Sequence, residues 1–183
     1  EVTTVAFADE HGSPGAAGPL LALWAAGSLV GGLTTGAVAW RRGPEVRVRV
    51  GMALLTLAMV PLYLLDDLWA LGLALLVGGL AIAPTLIATL TTVERVVPSS
   101  RLTEGMAVVH TGIVAGVAPG ATIGGFVIDH HGASSGYLVA VGAGLLGAVA
   151  AQLTRRGARQ DRPAKVDHAE SPTSGPRDTT LAP

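Results

Sequence analysis

The sequence predicts an all-α protein, a polytopic bundle of transmembrane helices with five complete spans. Half of its 183 residues are hydrophobic, only 14% are charged, and the mean hydropathy is +0.54. The charged residues are gathered into short clusters that separate long uncharged stretches. A helix needs roughly 20 residues to cross about 30 Å of hydrocarbon, and several of these stretches are long enough.

Five stretches form the predicted spans, with bounds of about 14–40, 47–65, 68–93, 105–128 and 133–154. Arg47 and Arg49 fall inside the second span, where their stems can lie along the helix while their charges reach the headgroups. Residues 2–7 are apolar but too few to cross, so we expect them to be the outer end of a sixth helix. The chain starts with Glu1 rather than methionine, and we expect it to be a piece of a longer protein.

The basic residues predict the orientation, because Lys and Arg in short loops stay on the cytoplasmic side during insertion. Ten of the twelve fall in alternate connections or after the fifth span, and Arg47 and Arg49 lie at the end of the second span that adjoins one of these connections. The other connections contain Asp66 and Asp67, then Asp129, His130 and His131. We therefore expect a multi-pass protein of the cell membrane with a cytoplasmic C-terminus. Residues 157–183 are rich in charged residues, Pro, Ser and Thr, which predicts a disordered cytoplasmic tail.

The sequence argues against several classes of function. It contains no cysteine, and its net charge of -1 comes without a clustered basic face, so neither thiol chemistry nor nucleic-acid binding is expected. Consecutive residues rarely converge on one ion, so Asp129, His130 and His131 are interpreted as an external loop rather than a metal site. No phosphate loop, nucleophile elbow or zinc-binding helix motif occurs. We expect no enzyme activity, no cofactor and no metal.

Two spans carry glycines at four-residue spacing, which places them on one helix face. Small residues let helix backbones approach closely in lipid, and proline permits a bend. The pattern indicates either helix packing or, in the fourth span, a kinked helix that rocks. The positions are Gly27, Gly31, Gly32 and Gly36 in the first span, and Gly112, Gly116, Pro119, Gly120 and Gly124 in the fourth.

Five polar or aromatic side chains are candidates for lining a path for a small molecule. They are Trp24, Thr85, Thr89, His110 and Thr111. His110 is the only ionisable residue well inside a span, where charge is expensive and therefore often functional. Near the cytoplasmic end it could instead stay neutral and reach the interface, and threonines in membrane helices usually bond to their own preceding turn.

The arrangement resembles the C-terminal half of a major facilitator superfamily transporter of the drug or metabolite exporter type, from the end of helix 7 through helix 12. In that family a loop reads Gly, three residues, Asp, Arg, any residue, Gly, and a degraded copy follows the eighth helix. Gly36, Trp40, Arg41 and Gly43 occupy those places here, with Trp40 in place of the acidic residue. The fourth span, with Pro119, Gly120 and Gly124, is similar to the family's eleventh helix.

The resemblance implies transport of a small molecule, with export the expected direction, by alternating access between two bundles. It implies a lipid bilayer, a small-molecule substrate and an N-terminal half of the same protein as partners. Any coupling proton would depend either on the N-terminal half or on His110 of this chain. The alternative is a non-transporting membrane scaffold or assembly protein whose glycine faces recruit other helices.

Overall fold

The computed structural model describes residues 1–38, 40 and 43–160, and side chains up to residue 152. Every element within these residues is helical. The α-helices are α1 (Val2–Glu10), α2 (Ala17–Ala37), α3 (Pro44–Leu64), α4 (Leu68–Gly79), α5 (Ile82–Val96), α6 (Leu102–His131) and α7 (Gly136–Gln160). Short 3₁₀ turns at Pro14–Ala16, Ser99–Arg101 and Ala133–Ser135 precede α2, α6 and α7.

Five helical stretches in the described residues are long and apolar enough to cross a membrane. They are Pro14–Ala37, Pro44–Leu64, Leu68–Val96, Ser99–His131 and Ala133–Gln152. The prediction of an all-α polytopic bundle with five spans is confirmed. Their outward surfaces are apolar, as lipid contact requires: Trp69 is 85% exposed and Leu146 73% exposed.

Local chemistry explains where several helices begin and end. Pro44 occupies the first turn of α3, where its missing N–H costs no hydrogen bond. The Asp67 carboxylate caps α4 by accepting from the Ala70 N–H at 2.9 Å. Gly132 ends α6 at φ +85°, a conformation that side chains disfavour, and the chain turns directly into α7.

The third span, predicted over 68–93, consists of two helices in the structure. The chain leaves regular α geometry at Leu80 and Ala81, between α4 and α5. Pro84 provides the reason, because it has no N–H to donate to the carbonyl of Leu80. Gly78 and Gly79, just before the break, add backbone freedom.

The last helix extends further than the sequence indicates. α7 continues to Gln160, four residues into the segment expected to be a disordered tail. Ala, Gln and Arg are strong helix formers, so the helix can continue into polar sequence. The rest of the predicted tail, 161–183, lies outside the described residues.

Helix α2 packs closely on the broken span through its glycines. A Cβ built on Gly27 would meet the Leu76 carbonyl oxygen and lie 3.1 Å from the Gly79 Cα, and one built on Gly31 would meet the Leu80 carbonyl oxygen. Gly32 is looser, 3.2 Å from the Ala83 Cβ. The missing side chains let the two backbones touch, which gains dispersion contacts in lipid.

Helix α3 lies between α5 and α7 and makes close contacts with both. A Cβ on Gly51 would lie 3.0 Å from the Thr85 Cβ, and a Cβ on Gly144 of α7 would lie 3.1 Å from the Thr56 Cβ. Each contact therefore seats a threonine of one helix against a glycine of the next. Both threonine hydroxyls donate to the carbonyl four residues earlier, so no polar group is left unpaired there.

The largest buried side chains gather at the end of the bundle that carries the Asp66 connection. Phe7, Leu20, Leu62, Leu71 and Tyr137 belong to one cluster. Helix α1 is tied into it by polar contacts: the Thr4 and Tyr137 hydroxyls hydrogen-bond at 3.1 Å, and the Glu10 Oε1 accepts from the Ala133 N–H at 2.8 Å. These bonds join α1 to α7 and to the turn before it.

Thr4→Val is expected to reduce the free energy of unfolding in detergent by about 1–3 kcal/mol, because it leaves the buried Tyr137 hydroxyl unpaired. Tyr137→Phe should cost less, since the Thr4 hydroxyl can bond to its own helix. Chemical unfolding of both single variants and the double variant measures the coupling. Strictly additive effects would contradict a direct bond between α1 and α7.

Candidate transport surface

The middle of α6 stands clear of the rest of the described chain. Every residue from His110 to Ile123 is exposed, over about four helical turns. Buried or half-buried residues occur only towards the two ends of the helix, where it contacts α1, α5 and α7. Pro119 lies within this stretch, and α6 nevertheless continues unbroken to His131.

The two glycine stripes therefore have different surroundings. The backbone of the third span occupies the space beside Gly27 and Gly31 of α2. By contrast, a Cβ built at any of four α6 positions meets nothing within 4 Å in the part of the chain that the structure describes. Those positions are Gly112, Gly116, Gly120 and Gly124. Gly36, at the end of α2, is likewise open. Gly124 is buried at the end of the open stretch, whereas Gly112, Gly116 and Gly120 are exposed and have no partner helix among the described residues.

His110 and Thr111 lie at the start of the open stretch of α6. Both are exposed, and neither side chain makes a hydrogen bond within the described chain. An imidazole and a hydroxyl can both donate and accept hydrogen bonds, so this end of α6 presents polar groups on an otherwise apolar surface.

The other three candidates are placed in the bundle itself. Thr85 is buried against Gly51 of α3, and its hydroxyl donates to the Ala81 carbonyl at 2.6 Å. Thr89 is half-buried and donates to the Thr85 carbonyl at 2.9 Å. Both threonine hydroxyls therefore hydrogen-bond to carbonyls of their own helix, which is the alternative to lining a path that the sequence left open.

Trp24 packs beside the buried cluster, and its indole N–H is buried without a hydrogen-bond partner in the described residues. A buried N–H of this kind usually has a partner, so the Trp24 indole remains able to donate one further hydrogen bond. The structure does not bring it together with His110 and Thr111 into a single enclosed pocket.

The remnant of the family's loop motif contains an unexpected contact. The Trp40 indole N–H donates to the Thr35 carbonyl at 3.0 Å, and the Arg47 guanidinium lies 4.6 Å from the centre of the Trp40 ring. A cation over an aromatic face is a favourable contact. Gly43 precedes α3, and Arg41 lies outside the described residues. Sequence reasoning assigned Arg47 only to the membrane interface, although an Arg close to a Trp could have indicated this pair.

Asp129, His130 and His131, which the sequence predicts to form an external loop, lie in the last turn of α6 because the helix continues to His131. They form no metal-binding cluster with other His, Asp or Glu side chains of residues 1–152 that the structure describes. His130 Nδ1 lies 2.8 Å from the Phe126 carbonyl oxygen, and its ring packs on the Phe126 ring with centroids 4.2 Å apart. These contacts attach the His130 side chain to the preceding turn of α6.

Comparison with protein families places these features in a known group. The family model of the Major Facilitator Superfamily matches residues 2–180. A search of curated proteins and a search of solved structures returned no match. Because the family match covers nearly the whole chain, and the structure shows the expected bundle of membrane-spanning helices, this protein belongs to the major facilitator superfamily of membrane transporters.

Proposed function

We propose that the chain is the C-terminal half of a secondary transporter that exports a small molecule by alternating access. In this proposal a second bundle, the N-terminal half of the same protein, packs across the open face of α6. The substrate then binds near the middle of the membrane, between the two halves. The basic connections lie in the cytoplasm of the cell, together with the C-terminus.

The open stretch of α6 is the observation that supports this proposal. The same four-residue glycine spacing occurs in α2, where the backbone of α4 fills it. A glycine stripe that faces only lipid would give up helix propensity and gain no close contact in return. The α6 stripe is therefore best explained as a contact surface for helices outside the described chain.

The exposed polar groups of α6 support the position of the substrate. His110 and Thr111 lie on the same helix as the stripe, about 200° and 100° around it from Gly112. We therefore place them beside the contact with the other half, on faces of α6 that the stripe does not occupy. No Asp or Glu lies in the apolar middle of any of the five spans. His110 is therefore the residue of this chain proposed to carry a coupling proton, because an imidazole can both accept and donate a proton.

Replacing His110 with Ala or Asn in the complete protein is expected to remove most of the pH dependence of transport, since neither replacement can take up a proton. Thr111→Val is the matched control, because it changes the neighbouring polar group without changing charge. Initial transport rates in vesicles at several pH values measure the effect. Superimposable pH profiles for His110→Ala and the unmodified protein would remove the coupling role.

The direct test of the proposed function is an export assay on the complete gene product. Cells that express it are loaded with a broad panel of labelled or fluorescent small molecules, and the retained amount is followed over time. Faster loss of at least one compound than in cells without the gene supports export. No altered accumulation of any compound would count against it.

A membrane scaffold is the second candidate, because the open glycine stripe could also recruit helices of another protein. The upstream sequence separates the two, since a transporter predicts about six further spans before this chain. Two results together would favour the scaffold. The upstream sequence would lack these further spans, and crosslinking from Gly116→Cys would recover a different membrane protein on the stripe.

A further inference from the structure

An open apolar groove runs along α3, with α2 and the broken third span as its other walls. It has a volume of about 720 Å³, within the about 300–1,000 Å³ typical of small-molecule sites. Val50, Leu54 and Leu57 of α3 line one side, and Val77 and Leu80 line the other. All five are exposed, so the groove opens sideways onto the surface of the bundle.

The length of the groove matches one leaflet of a bilayer. Along α3 it extends from Val46 and Arg47 to Leu57 and Ala58. Eleven residues separate Arg47 from Ala58, which is about 16 Å at 1.5 Å per residue. Half of a hydrocarbon core of about 30 Å is nearly the same distance. A chain lying in the groove would therefore end near the middle of the membrane.

The charge of the groove is confined to one end. Arg47 is the charged residue among the described residues that line it, and the opposite end is formed by apolar side chains such as Leu57 and Val77. The Arg47 guanidinium stacks on Trp40 at 4.6 Å, and no carboxylate of the described chain pairs with it. An unpaired guanidinium remains able to bind a phosphate oxygen.

We propose that this groove binds one acyl chain of an anionic phospholipid, with the lipid phosphate on Arg47. An apolar channel one leaflet long with a single cation at the headgroup level is complementary to a lipid that carries net negative charge. Basic pockets between membrane helices are known to take such headgroups. The site lies on the opposite side of α3 from its contact with α7 and does not depend on the transport proposal.

Quenching of Trp40 fluorescence tests the site. The purified protein is reconstituted in phosphatidylcholine bilayers that contain a minor fraction of phosphatidylglycerol. Two samples are compared, one with brominated phosphatidylglycerol and one with brominated phosphatidylcholine, and the bromine lies near the ester end of the acyl chains. The part of the quenching that disappears in Trp40→Phe belongs to Trp40. Brominated phosphatidylglycerol is expected to be enriched about fivefold beside Trp40 over its bulk fraction. This enrichment corresponds to a binding free energy of about 1 kcal/mol, the contribution expected of one Arg.

Variants decide whether Arg47 carries the binding. Arg47→Gln should lower the enrichment to the bulk level, and Arg47→Lys should retain most of it. Arg49→Gln is the matched control, because Arg49 donates to the Glu45 carbonyl and does not line the groove. Val50→Asp places a carboxylate at an exposed position near the Arg47 end of the groove and should also abolish the enrichment.

Bulk-level quenching in the unmodified protein would overturn the proposal, as would equal enrichment of the zwitterionic lipid. Full enrichment in Arg47→Gln and Val50→Asp, or equal loss in Arg47→Gln and Arg49→Gln, would also overturn it. The last result would indicate general attraction to a basic surface. Elution as a single species in detergent shows that each variant is folded before quenching is compared.

Discussion

Replacing Gly27 or Gly31 with alanine is expected to lower the free energy of unfolding by about 1–3 kcal/mol each, and replacing both with valine is expected to prevent folding. The added Cβ would meet the carbonyl oxygens of Leu76 and Leu80, and a backbone cannot move aside as a flexible side chain can. Detergent-solubilised yield and chemical unfolding measure the loss.

Gly36→Ala is the matched control on the same helix. A Cβ at Gly36 has nothing within 4 Å, and alanine favours helix more than glycine does. Its stability should equal or slightly exceed that of the unmodified protein. If Gly27→Ala and Gly31→Ala were as stable as Gly36→Ala, the close packing of α2 on the broken third span would be wrong.

Gly116→Leu or Gly120→Leu is expected to reduce transport by the complete protein about tenfold or more, while the helices of this chain still fold. Within the described residues a side chain at either position meets open space, and leucine favours helix. In the proposed complex the same side chain would occupy the contact with the other half. Overpacking of about 1–3 kcal/mol at that contact predicts the size of the loss.

Gly142→Leu in α7 provides the comparison, because a Cβ at Gly142 also meets nothing within 4 Å. The proposal places only α6 against the other half, so Gly142→Leu should transport at nearly the normal rate. Initial export rates, normalised to the amount of protein in the membrane, compare the variants. Equal rates for Gly116→Leu and Gly142→Leu would remove α6 from the interface between halves.

The spans could be predicted from sequence because each depends only on a long run without charge, and such a run has few alternatives in a bilayer. The surroundings of individual residues could not. Gly27 and Gly116 have the same spacing signal, yet one is filled by α4 and the other is open. Spacing places residues on one helix face, and it does not specify which helix, if any, lies opposite.

The same limit applies to the candidate site. Thr85 and Thr111 are equivalent as membrane threonines in sequence, whereas the fold buries Thr85 against Gly51 and leaves Thr111 exposed. The break before Pro84 was within reach of sequence reasoning, because proline removes a helical hydrogen bond. The groove with Arg47 at its end was not, because it combines three helices that are separate in the chain.

Cysteine accessibility tests the central claim, that five helices cross the membrane with their connections on alternate sides. The chain contains no cysteine, so Asp66→Cys and Ser100→Cys each introduce one site, at exposed positions in successive connections. An impermeant maleimide should label Asp66→Cys in intact cells and Ser100→Cys only after permeabilisation. Labelling of both from the same side, or the reverse pattern, would contradict the topology on which the account depends.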